Sequence, residues 1–503
     1  MCIIHYLVNI FFLQYYKKKI GKIASVLKRN DTLITTNRKG HNHRDLNFKQ
    51  NQKRINTNNL DNILSISENS IDCESAVTVG KINRLTIQKE KIVPSLPEGD
   101  NFTAGGCLGG IALGSNSYSN GFFNNNVIDF DIILGNGEIL RDVSPNKNSD
   151  LYYGVGGTYG TMGIITRVKL KLIPCMPYVK VDYLHHNSFD GFYNNFKEII
   201  QNSEDDFVEA FVNDKNDFTI VVANYVEEVE SADILITRDK DMFKQRHMCL
   251  YAQIAQKKKF NYLRLVDYLE RYSYSAFWGH YLYTPYKIRD FVYAGLIYAT
   301  IPKKLLGSDE LNINKYFTAT SHIVGDYTRD EYVLATDIGV PLSKLEEALH
   351  LVDNMTKTYP LWICPSIDHY HPDKMFCTRK PEICEDNIIL DLGIYGIKNT
   401  RILSKKVNKA FEKFSFRHGV FKGFFSTCYF SYDDFWNHFD KEKYDKLRKK
   451  YHADGKFMDI YDKITYRSES KKRKIKTIRS QLFTFFGRMY LKQINKNKEK
   501  LIK

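Results

Sequence analysis

Apolar and charged residues alternate along several segments in the first third of the chain, a pattern typical of half-buried β-strands. Residues 164–173 are the clearest case, because aliphatic side chains alternate there with basic ones. Residues 127–134 alternate apolar with acidic side chains, and the Asn-Gly pair at 136–137 predicts a tight turn into a return strand beginning at 138–140. These segments together predict one sheet-based unit.

Beyond residue 178 the pattern changes, and strand-like segments alternate with segments of helical periodicity. Residues 178–184 and 218–225 are predicted strands, whereas 343–356 and 405–413 are predicted helices. The first of these helices opens with Ser-x-x-Glu at 343–346, which is the spacing of a capping box. This mixture predicts a second unit of the α+β class.

Two prolines, Pro174 and Pro177, separate the two patterns and indicate a domain boundary. With 503 residues, the chain is long enough for two or three domains with substantial cores. The predicted parts are an apolar N-terminal segment, a first domain, a second domain and a basic tail, at 1–24, 25–177, 178–465 and 466–503.

Two glycine-rich segments, 103–115 and 154–163, carry the strongest indication of function. Such dense glycine is costly unless the backbone turns sharply or approaches a ligand closely. Neither segment has the lysine of a Walker loop or the G-x-G-x-x-G spacing of a dinucleotide-binding helix. Because bare backbone N–H groups can wrap an anion, we predict two loops that converge on a pyrophosphate. Glycine-rich turns of an ordinary sheet are the alternative.

The net charge of +15 is concentrated at the C-terminus, where residues 471–503 contain twelve Lys or Arg and one acid and so contribute +11. The remainder is nearly balanced, which argues against a nucleic-acid binder. Aromatic and aliphatic residues lie among the basic ones of this tail at roughly helical spacing. The tail is therefore either a segment for an anionic membrane surface or a solvated extension.

The N-terminus is apolar from residue 2 to 16 and is followed by three lysines at 17–19. It is shorter than the ~20 residues that span a bilayer, and no small-residue cleavage site follows it. We expect a membrane-anchoring or interfacial segment, and a helix docked on the core is the alternative. The nine cysteines are odd in number and lack C-x-x-C pairs, so we expect reduced thiols facing the cytosol and neither disulfides nor a metal site.

Short motifs distributed over residues 25–465 resemble those of a known flavoprotein superfamily. They lie at 103–106, 114–117, 121–123, 148–152, 160–163 and 172–174, and further along at 276–278, 359–365, 428–429, 434–436 and 461–463. In these residues the chain is similar to the vanillyl-alcohol-oxidase (PCMH-type) superfamily of FAD-linked oxidoreductases, and more narrowly to its Δ24-sterol reductase (diminuto/seladin) group. The Tyr-Pro-x-Trp-x-Cys-Pro motif at 359–365 and the glycine loops are its most specific parts.

The resemblance implies an α+β fold in which a PCMH-type FAD-binding domain of two α+β subdomains precedes an α+β substrate-capping domain. It places the FAD diphosphate against the first glycine loop, whose residues are Thr103, Ala104, Gly105, Gly106, Cys107, Leu108, Gly109, Gly110, Ile111, Ala112, Leu113, Gly114 and Ser115. It implies further FAD contacts from Gly157, Gly160, Thr161, Gly163, Ile164 and Ile165, and from Arg38 in a basic upstream turn. His41 in that turn is either a covalent attachment point for FAD or a solvated loop residue.

The resemblance also implies reduction of the C24=C25 side-chain double bond of a sterol, with hydride passing from NADPH through flavin N5. A protein group has to supply a proton to the other carbon, and the candidates are Tyr429, Tyr395 and Asp337. A buried tyrosine bonded to the backbone, or an aspartate in a structural ion pair, is the alternative for each. Arg271 is expected to meet a flavin or nicotinamide phosphate, with a surface salt bridge as the alternative.

Departures from the sterol reductase pattern at Tyr118, Asn120 and 156–158 keep two other functions open. One is an FAD-dependent oxidase of the same fold acting on another alcohol or small substrate, and the other is a non-catalytic homologue. The expected partners are a sterol, NADPH and a membrane surface, without nucleic acid. The expected location is the endoplasmic reticulum membrane with the catalytic domain in the cytosol. The oligomeric state is left open.

Overall fold

A computed structural model describes residues 2–37 (side chains from residue 14), 43–235, 248–275, 333–376, 379–397, 400 and 402–467. Arg38 and His41, the motif at 276–278 and the basic tail from residue 468 lie outside these ranges, so the predictions made for them stay predictions.

The strands are β1 (Ile34–Thr36), β2 (Lys53–Ile55), β3 (Ile63–Ile66), β4 (Ser70–Glu74), β5 (Lys91–Ile92), β6 (Val127–Ile133), β7 (Ile139–Val143), β8 (Ile164–Lys171), β9 (Ile173–Pro174), β10 (Tyr178–His186), β11 (Phe207–Asp214), β12 (Asp217–Val226), β13 (Phe260–Arg264), β14 (Val333–Pro341), β15 (Leu361–Ile367) and β16 (Ile388–Ile397). The helices are α1 (Cys2–Lys28), α2 (Val79–Ile87), α3 (Ala104–Gly110), α4 (Ser117–Asn120), α5 (Ser149–Gly154), α6 (Phe189–Asn202), α7 (Leu250–Ala255), α8 (Leu265–Leu269), α9 (Arg271–Ser275), α10 (Leu345–Thr356), α11 (Ser404–Arg417), α12 (Tyr432–His438), α13 (Lys441–Lys450) and α14 (Ile460–Thr465). Short 3-10 helices lie at Asn47–Asn51, Phe123–Asn126, Ser231–Asp233 and Leu342–Lys344.

The first sheet contains the alternating segments of the sequence in the antiparallel order β3-β4-β8-β6-β7. Its basic and acidic side chains pair across strands, since Arg167 on β8 forms ion pairs with Asp72, Asp129 and Asp131. The apolar face carries the largest core of this part of the chain, which includes buried Phe130 and Val168. Charge pairing and burial of this apolar face thus fix the register of these strands.

The second sheet is antiparallel, and its described strands have the order β13-β10-β12-β11-β15-β16-β14. One face packs on α6, α10 and α11, through inward residues such as Phe196, Val352 and Phe411. The fold is therefore α+β in both parts, as the sequence predicted. The opposite face of this sheet lies toward the first glycine loop, because Glu209 on β11 projects from that face and is bridged to Ser115 by Arg271.

After the second sheet the chain returns to the first one. Phe424, Phe435, Tyr444 and Ile460 are buried in the same core as the first sheet and α3. The division at 177/178 stays a prediction, and the structure adds that residues 424–464 pack on the first domain.

Helix α1 docks its second half on the first domain. Apolar side chains from Tyr16 to Leu27 are buried against β6 and β8. The Tyr16 hydroxyl donates to Asp131 at 2.9 Å, and the Lys19 ammonium lies 2.7 Å from Glu74 in a buried ion pair. Residues 16–27 are therefore docked on the core, whereas both interpretations of the apolar segment at 2–16 stay predictions. In the part of the chain that the structure describes, no helix combines the length and the apolar character needed to cross a membrane.

The start of α10 differs from its prediction. Ser343 lies in the preceding 3-10 helix, and its backbone N–H is bonded to the Asp386 carboxylate at 2.8 Å. The helix begins at Leu345 after an N-cap, Lys344, whose side chain makes no cap bond, so the capping-box prediction is wrong. The described cysteines Cys73, Cys107, Cys175, Cys249, Cys364, Cys384 and Cys428 are buried and form no disulfide with one another, in agreement with the expectation of reduced thiols.

Candidate functional site

The first glycine loop forms α3 and a turn that crosses close to two other segments. The N–H of Gly105 donates to the Ser75 carbonyl at 2.9 Å, and a Cβ on Gly105 would lie 2.8 Å from the Ser75 Cβ. A Cβ on Gly114 would lie 2.0 Å from the carbonyl oxygen of Leu96. Close packing of backbone on backbone therefore explains these two glycines without a ligand.

The second glycine loop, residues 154–163, lies directly against the first. The N–H of Tyr159 donates to the Gly109 carbonyl at 2.9 Å, and a Cβ on Gly109 would lie 3.9 Å from the amide nitrogen of Gly160. Gly157 and Gly160 have positive φ angles of 73° and 77°, which glycine adopts without strain. The two loops that the sequence singled out are therefore neighbours in space.

Basic side chains gather behind the second loop. The Lys463 ammonium donates to the Tyr159 carbonyl at 2.7 Å, and the buried Arg44 guanidinium lies over the Tyr159 ring at 4.7 Å. Arg448 on α13 donates to the Thr161 carbonyl at 2.7 Å. Residues of the last two helices thus hold the second glycine loop in place.

These cations repel one another. Burial, followed by the charges of Arg44, Lys49 and Arg448, lowers the pKa of Lys463 well below its ordinary value. Burial and the neighbouring arginines also lower the pKa of Lys49 to about 8. No acidic side chain of the described residues pairs with Lys463. A buried excess of positive charge next to two glycine loops favours an anionic ligand.

Within the described residues, the same region has unpaired backbone groups that suit a cofactor with a diphosphate. Gly157 is buried, yet neither its N–H nor that of Gly160 has an acceptor within the described residues. Buried N–H groups are normally paired, so the buried N–H of Gly157 and the half-buried N–H of Gly160 suit the oxygens of a phosphate. The residues present therefore fit FAD in this place. Which atoms of Thr103–Ser115, Gly157, Gly160, Thr161, Gly163, Ile164 and Ile165 contact it stays a prediction.

The far end of the first glycine loop meets the polar face of the second sheet through a buried charge network. Ser115 donates from both its N–H and its hydroxyl to Glu98, at 2.5 and 2.6 Å. Arg271 donates to the Ser115 hydroxyl at 3.2 Å and to Glu209 on β11 at 2.9 Å. The Glu209 carboxylate also accepts from Trp362 on β15, at 2.8 Å.

The surface salt bridge considered for Arg271 is wrong, because its side chain is fully buried and paired with Glu209. Its contact with a flavin or nicotinamide phosphate stays a prediction. The Tyr272 hydroxyl completes the shell of donors around Glu209 at 2.8 Å. Burial raises the pKa of Glu209, and Arg271, Trp362 and Tyr272 lower it.

The polar face continues on β14 and β16 with two of the predicted proton donors. Leu390, Leu392 and Ile394 face the helices, so alternation places Asp391, Gly393 and Tyr395 on the other face.

Asp337 on β14 is the register partner of Gly393, and its carboxylate accepts a hydrogen bond from the Tyr395 hydroxyl. Burial raises the pKa of Asp337 to about 7, while the hydrogen bond from Tyr395 and the charge of Lys422 lower it.

The structure thus brings Asp337 and Tyr395 together and places Tyr429 on another segment. The N–H of Tyr429 donates to Glu412 at 2.9 Å, and its ring lies 4.4 Å from the Arg467 guanidinium carbon. Trp362 lies between the Asp337–Tyr395 pair and the Glu209 network. Gly393 is close to both Asp337 and Trp362, since a Cβ on it would lie 3.4 Å from the Asp337 carboxylate and 3.0 Å from the Trp362 ring. A chain of buried polar contacts therefore runs from Ser115 to Trp362, and Asp337 lies beside Trp362 across Gly393.

Sequence reasoning missed Glu209, Asp391 and the role of Lys463. Lys463 lies in the motif at 461–463, so the sequence pointed to this position but did not indicate what its ammonium group contacts. Glu209 and Asp391 are single acids within otherwise apolar strands, at 207–212 and 388–394. An acid in a buried strand is costly unless it is paired or used, which is the signal that could have identified both.

Comparison with known proteins agrees with this picture. Residues 17–142 match the family described as "FAD binding domain". The chain is 26% identical over 425 residues to a "Delta(24)-sterol reductase" of Homo sapiens, covering 83% of this chain and 78% of that protein. It is 24% identical over 494 residues to the protein of the same name from Arabidopsis thaliana, covering 92% of this chain and 85% of the relative.

A shorter similarity links the chain to "Cytokinin dehydrogenase 1" of Arabidopsis thaliana, with 32% identity over 113 residues, which cover 22% of this chain and 20% of that one. The chain therefore carries an FAD-binding domain of the PCMH type and is an oxidoreductase similar to Delta(24)-sterol reductases over most of its length.

Proposed function

We propose that this protein is an FAD-dependent Δ24-sterol reductase that reduces the C24=C25 side-chain double bond of a sterol with electrons from NADPH. The observation that carries the proposal is the chain of buried polar contacts that runs from Ser115 to Trp362, with Asp337 beside it. It begins at a glycine loop suited to FAD and ends beside a buried carboxyl group that shares a hydrogen bond with Tyr395. Similarity to sterol reductases over most of the chain supports the same substrate class.

In this proposal FAD would be held by the two glycine loops, whose Gly157 and Gly160 N–H groups are available to its diphosphate. When bound, it takes a hydride from NADPH and passes it from N5 to one carbon of the alkene.

The sterol side chain lies in this proposal between the first glycine loop and the polar face of the second sheet. An isolated alkene offers no hydrogen-bonding group, so the protein has to position it by apolar contact and exclude water around it. Tyr395, Asp337 and Tyr429 remain the proposed sources of the proton for the second alkene carbon.

An anaerobic absorbance experiment tests this function directly. The purified protein is expected to show a flavin spectrum that NADPH bleaches and that a Δ24-unsaturated sterol then restores. A saturated sterol of the same nucleus is the control and is expected to restore nothing. Flavin that only oxygen restores would favour an oxidase, and protein unable to take up FAD would favour a non-catalytic homologue.

The proposed location is the endoplasmic reticulum membrane, with the catalytic domain in the cytosol. The apolar residues 2–13 precede the docked half of α1. A groove of about 360 Å³ beside that half is lined by exposed Lys18, Lys22, Lys53 and Arg54, which suit anionic lipid headgroups. Flotation with vesicles tests this, and the protein is expected to float with anionic vesicles and to remain behind when residues 2–13 are removed.

A further inference from the structure

Asp391 is a carboxyl group in an unusual position. Its side chain is 9% exposed and makes no hydrogen bond or ion pair within the described residues. It lies in the middle of β16, on the face that looks toward the first glycine loop, while its neighbours Leu390 and Leu392 are fully buried against the helices. An unpaired carboxylate is expensive in such surroundings, whereas a neutral carboxylic acid costs much less.

A second carboxyl group lies diagonally across the sheet. Asp391 is the register partner of Gly339, and Asp337 is the partner of Gly393, so the two aspartates occupy adjacent strands on one face. Diagonal positions of this kind are about 7 Å apart or less. Two carboxyl groups at such a separation in a buried site do not both ionise readily, so one proton stays with the pair.

The environments of the two carboxyl groups differ, and the difference indicates which of them holds this proton. Asp337 accepts a hydrogen bond from Tyr395 and feels the charge of Lys422, and both stabilise its carboxylate. Asp391 faces Asp337 and, on β15, the Cys364 thiol, and it has no described cation. Burial and then the charge of Asp337 raise the pKa of Asp391 well above its ordinary value.

We infer that Asp391 is the acid that delivers a proton to the substrate, with Asp337 and Tyr395 as positioning residues that keep it protonated. The inference rests on the proposed function. Environments that separate two carboxyl groups in this way are the usual basis for acid and base roles in one site.

The step balances without a further co-reactant. One alkene carbon receives the hydride that NADPH supplies by way of the cofactor, and the π electron pair moves to the other carbon. That carbon forms its new C–H bond with the Asp391 proton, and the O–H bond of Asp391 breaks. Asp391 is left as a carboxylate next to Asp337, so it recovers a proton from solvent when the saturated sterol leaves.

The test is sterol-dependent reoxidation of flavin that has been reduced without oxygen, followed by stopped flow from pH 5 to 10 in the full-length holoenzyme. Asp391→Asn keeps the side-chain shape and is expected to bind FAD and to be reduced by NADPH as the wild type is. Its reoxidation by sterol is expected to fall about 100-fold or more, which is the range for loss of a general acid. Asp391→Glu is expected to recover part of the rate.

The pH profile separates a chemical role from a structural one. The wild-type rate is expected to fall at high pH as Asp391 ionises, and this limb is expected to disappear in Asp391→Asn. In Asp337→Asn the limb moves to lower pH, because the negative neighbour that keeps Asp391 protonated is gone. Asp182→Asn, at the surface of β10 beside Lys180, is the matched control and is expected to leave rate and limb unchanged.

Infrared difference spectra with ¹³C-labelled aspartate give an independent readout. Because the pKa of Asp337 is about 7, the spectra are recorded at about pH 8.5, where the band of a protonated carboxyl group is expected in the wild type and in Asp182→Asn and is expected to be lost in Asp391→Asn. A normal reoxidation rate or an unchanged alkaline limb in Asp391→Asn would overturn this inference alone. A wild-type protein that no Δ24-unsaturated sterol reoxidises would overturn the proposed function and the inference with it.

Discussion

The buried Glu209–Arg271 pair links the second sheet to the first glycine loop. A substitution in this pair tests that link directly. Glu209 accepts from two nitrogens of Arg271, from Tyr272 and from Trp362, and both charged side chains are fully buried. Glu209→Gln keeps the volume but leaves a buried guanidinium with weaker acceptors. Removal of one member of such a pair costs about 3–5 kcal/mol. Glu98, 3.3 Å from the same Arg271 nitrogen, remains and brings the expected loss to about 3 kcal/mol.

Thermal unfolding measures this loss. For a domain of this size, about 3 kcal/mol corresponds to a decrease of about 6–12 °C in the Tm of the transition that includes the second sheet. Release of bound flavin, followed by its fluorescence, is expected to occur at the same lowered temperature, because Ser115 lies in the same network. Asp445→Asn in an exposed helix pair is the control and is expected to change Tm by less than 1 °C. A Glu209→Gln protein with the Tm of the wild type would refute the reasoning, since Glu209 would then already be uncharged.

Three further predictions concern the cofactor loops and the buried carboxyl group. Lys463→Ala is expected to weaken FAD binding about 10-fold in equilibrium titrations, through loss of a charge-assisted hydrogen bond, whereas Lys446→Ala at the surface is expected to have no effect. Gly114→Ala is expected to yield little soluble holoprotein, because its Cβ would lie 2.0 Å from the carbonyl oxygen of Leu96; normal yield and flavin content would contradict this. Burial raises the pKa of Asp337 to about 7, so the folded state binds its proton more tightly than the unfolded state does. Stability is therefore expected to fall as the pH rises from about 4 through 7, and urea midpoints of an Asp337→Asn protein are expected to lose this part of the decline.

Much of the fold was accessible from local pattern. The alternation in 164–173 predicted β8, the Asn-Gly pair predicted the turn that Gly137 makes at a φ of 81°, and the strands at 178–184 and 218–225 were right to within two residues at each end. The capping box at 343–346 failed because Asp386, distant in sequence, takes the N–H of Ser343. A hydrogen bond to a residue distant in sequence can replace a local hydrogen bond of similar strength, and a local sequence pattern does not indicate when this happens.

The candidate site was accessible only in part. The two glycine loops were identified because dense glycine has few explanations, and the structure places them side by side. Asp337 and Tyr395 were named separately, but their hydrogen bond depends on the pairing of β14 with β16, which are about fifty residues apart in the chain. The position of Tyr429 away from this pair depends on the return of residues 424–464 to the first domain.

The sequence by itself determined the α+β class, the two glycine loops and the similarity to FAD-dependent reductases, because these properties depend on neighbouring residues and on short motifs. Only the tertiary structure decided that Arg271 pairs with Glu209, that Lys463 lies behind the second loop, and that Asp391 lies beside Asp337 without a partner among the described residues. The physical reason is that the cost of a buried charge depends on what surrounds it in space. Those surroundings come from strands and helices that are far apart in the sequence.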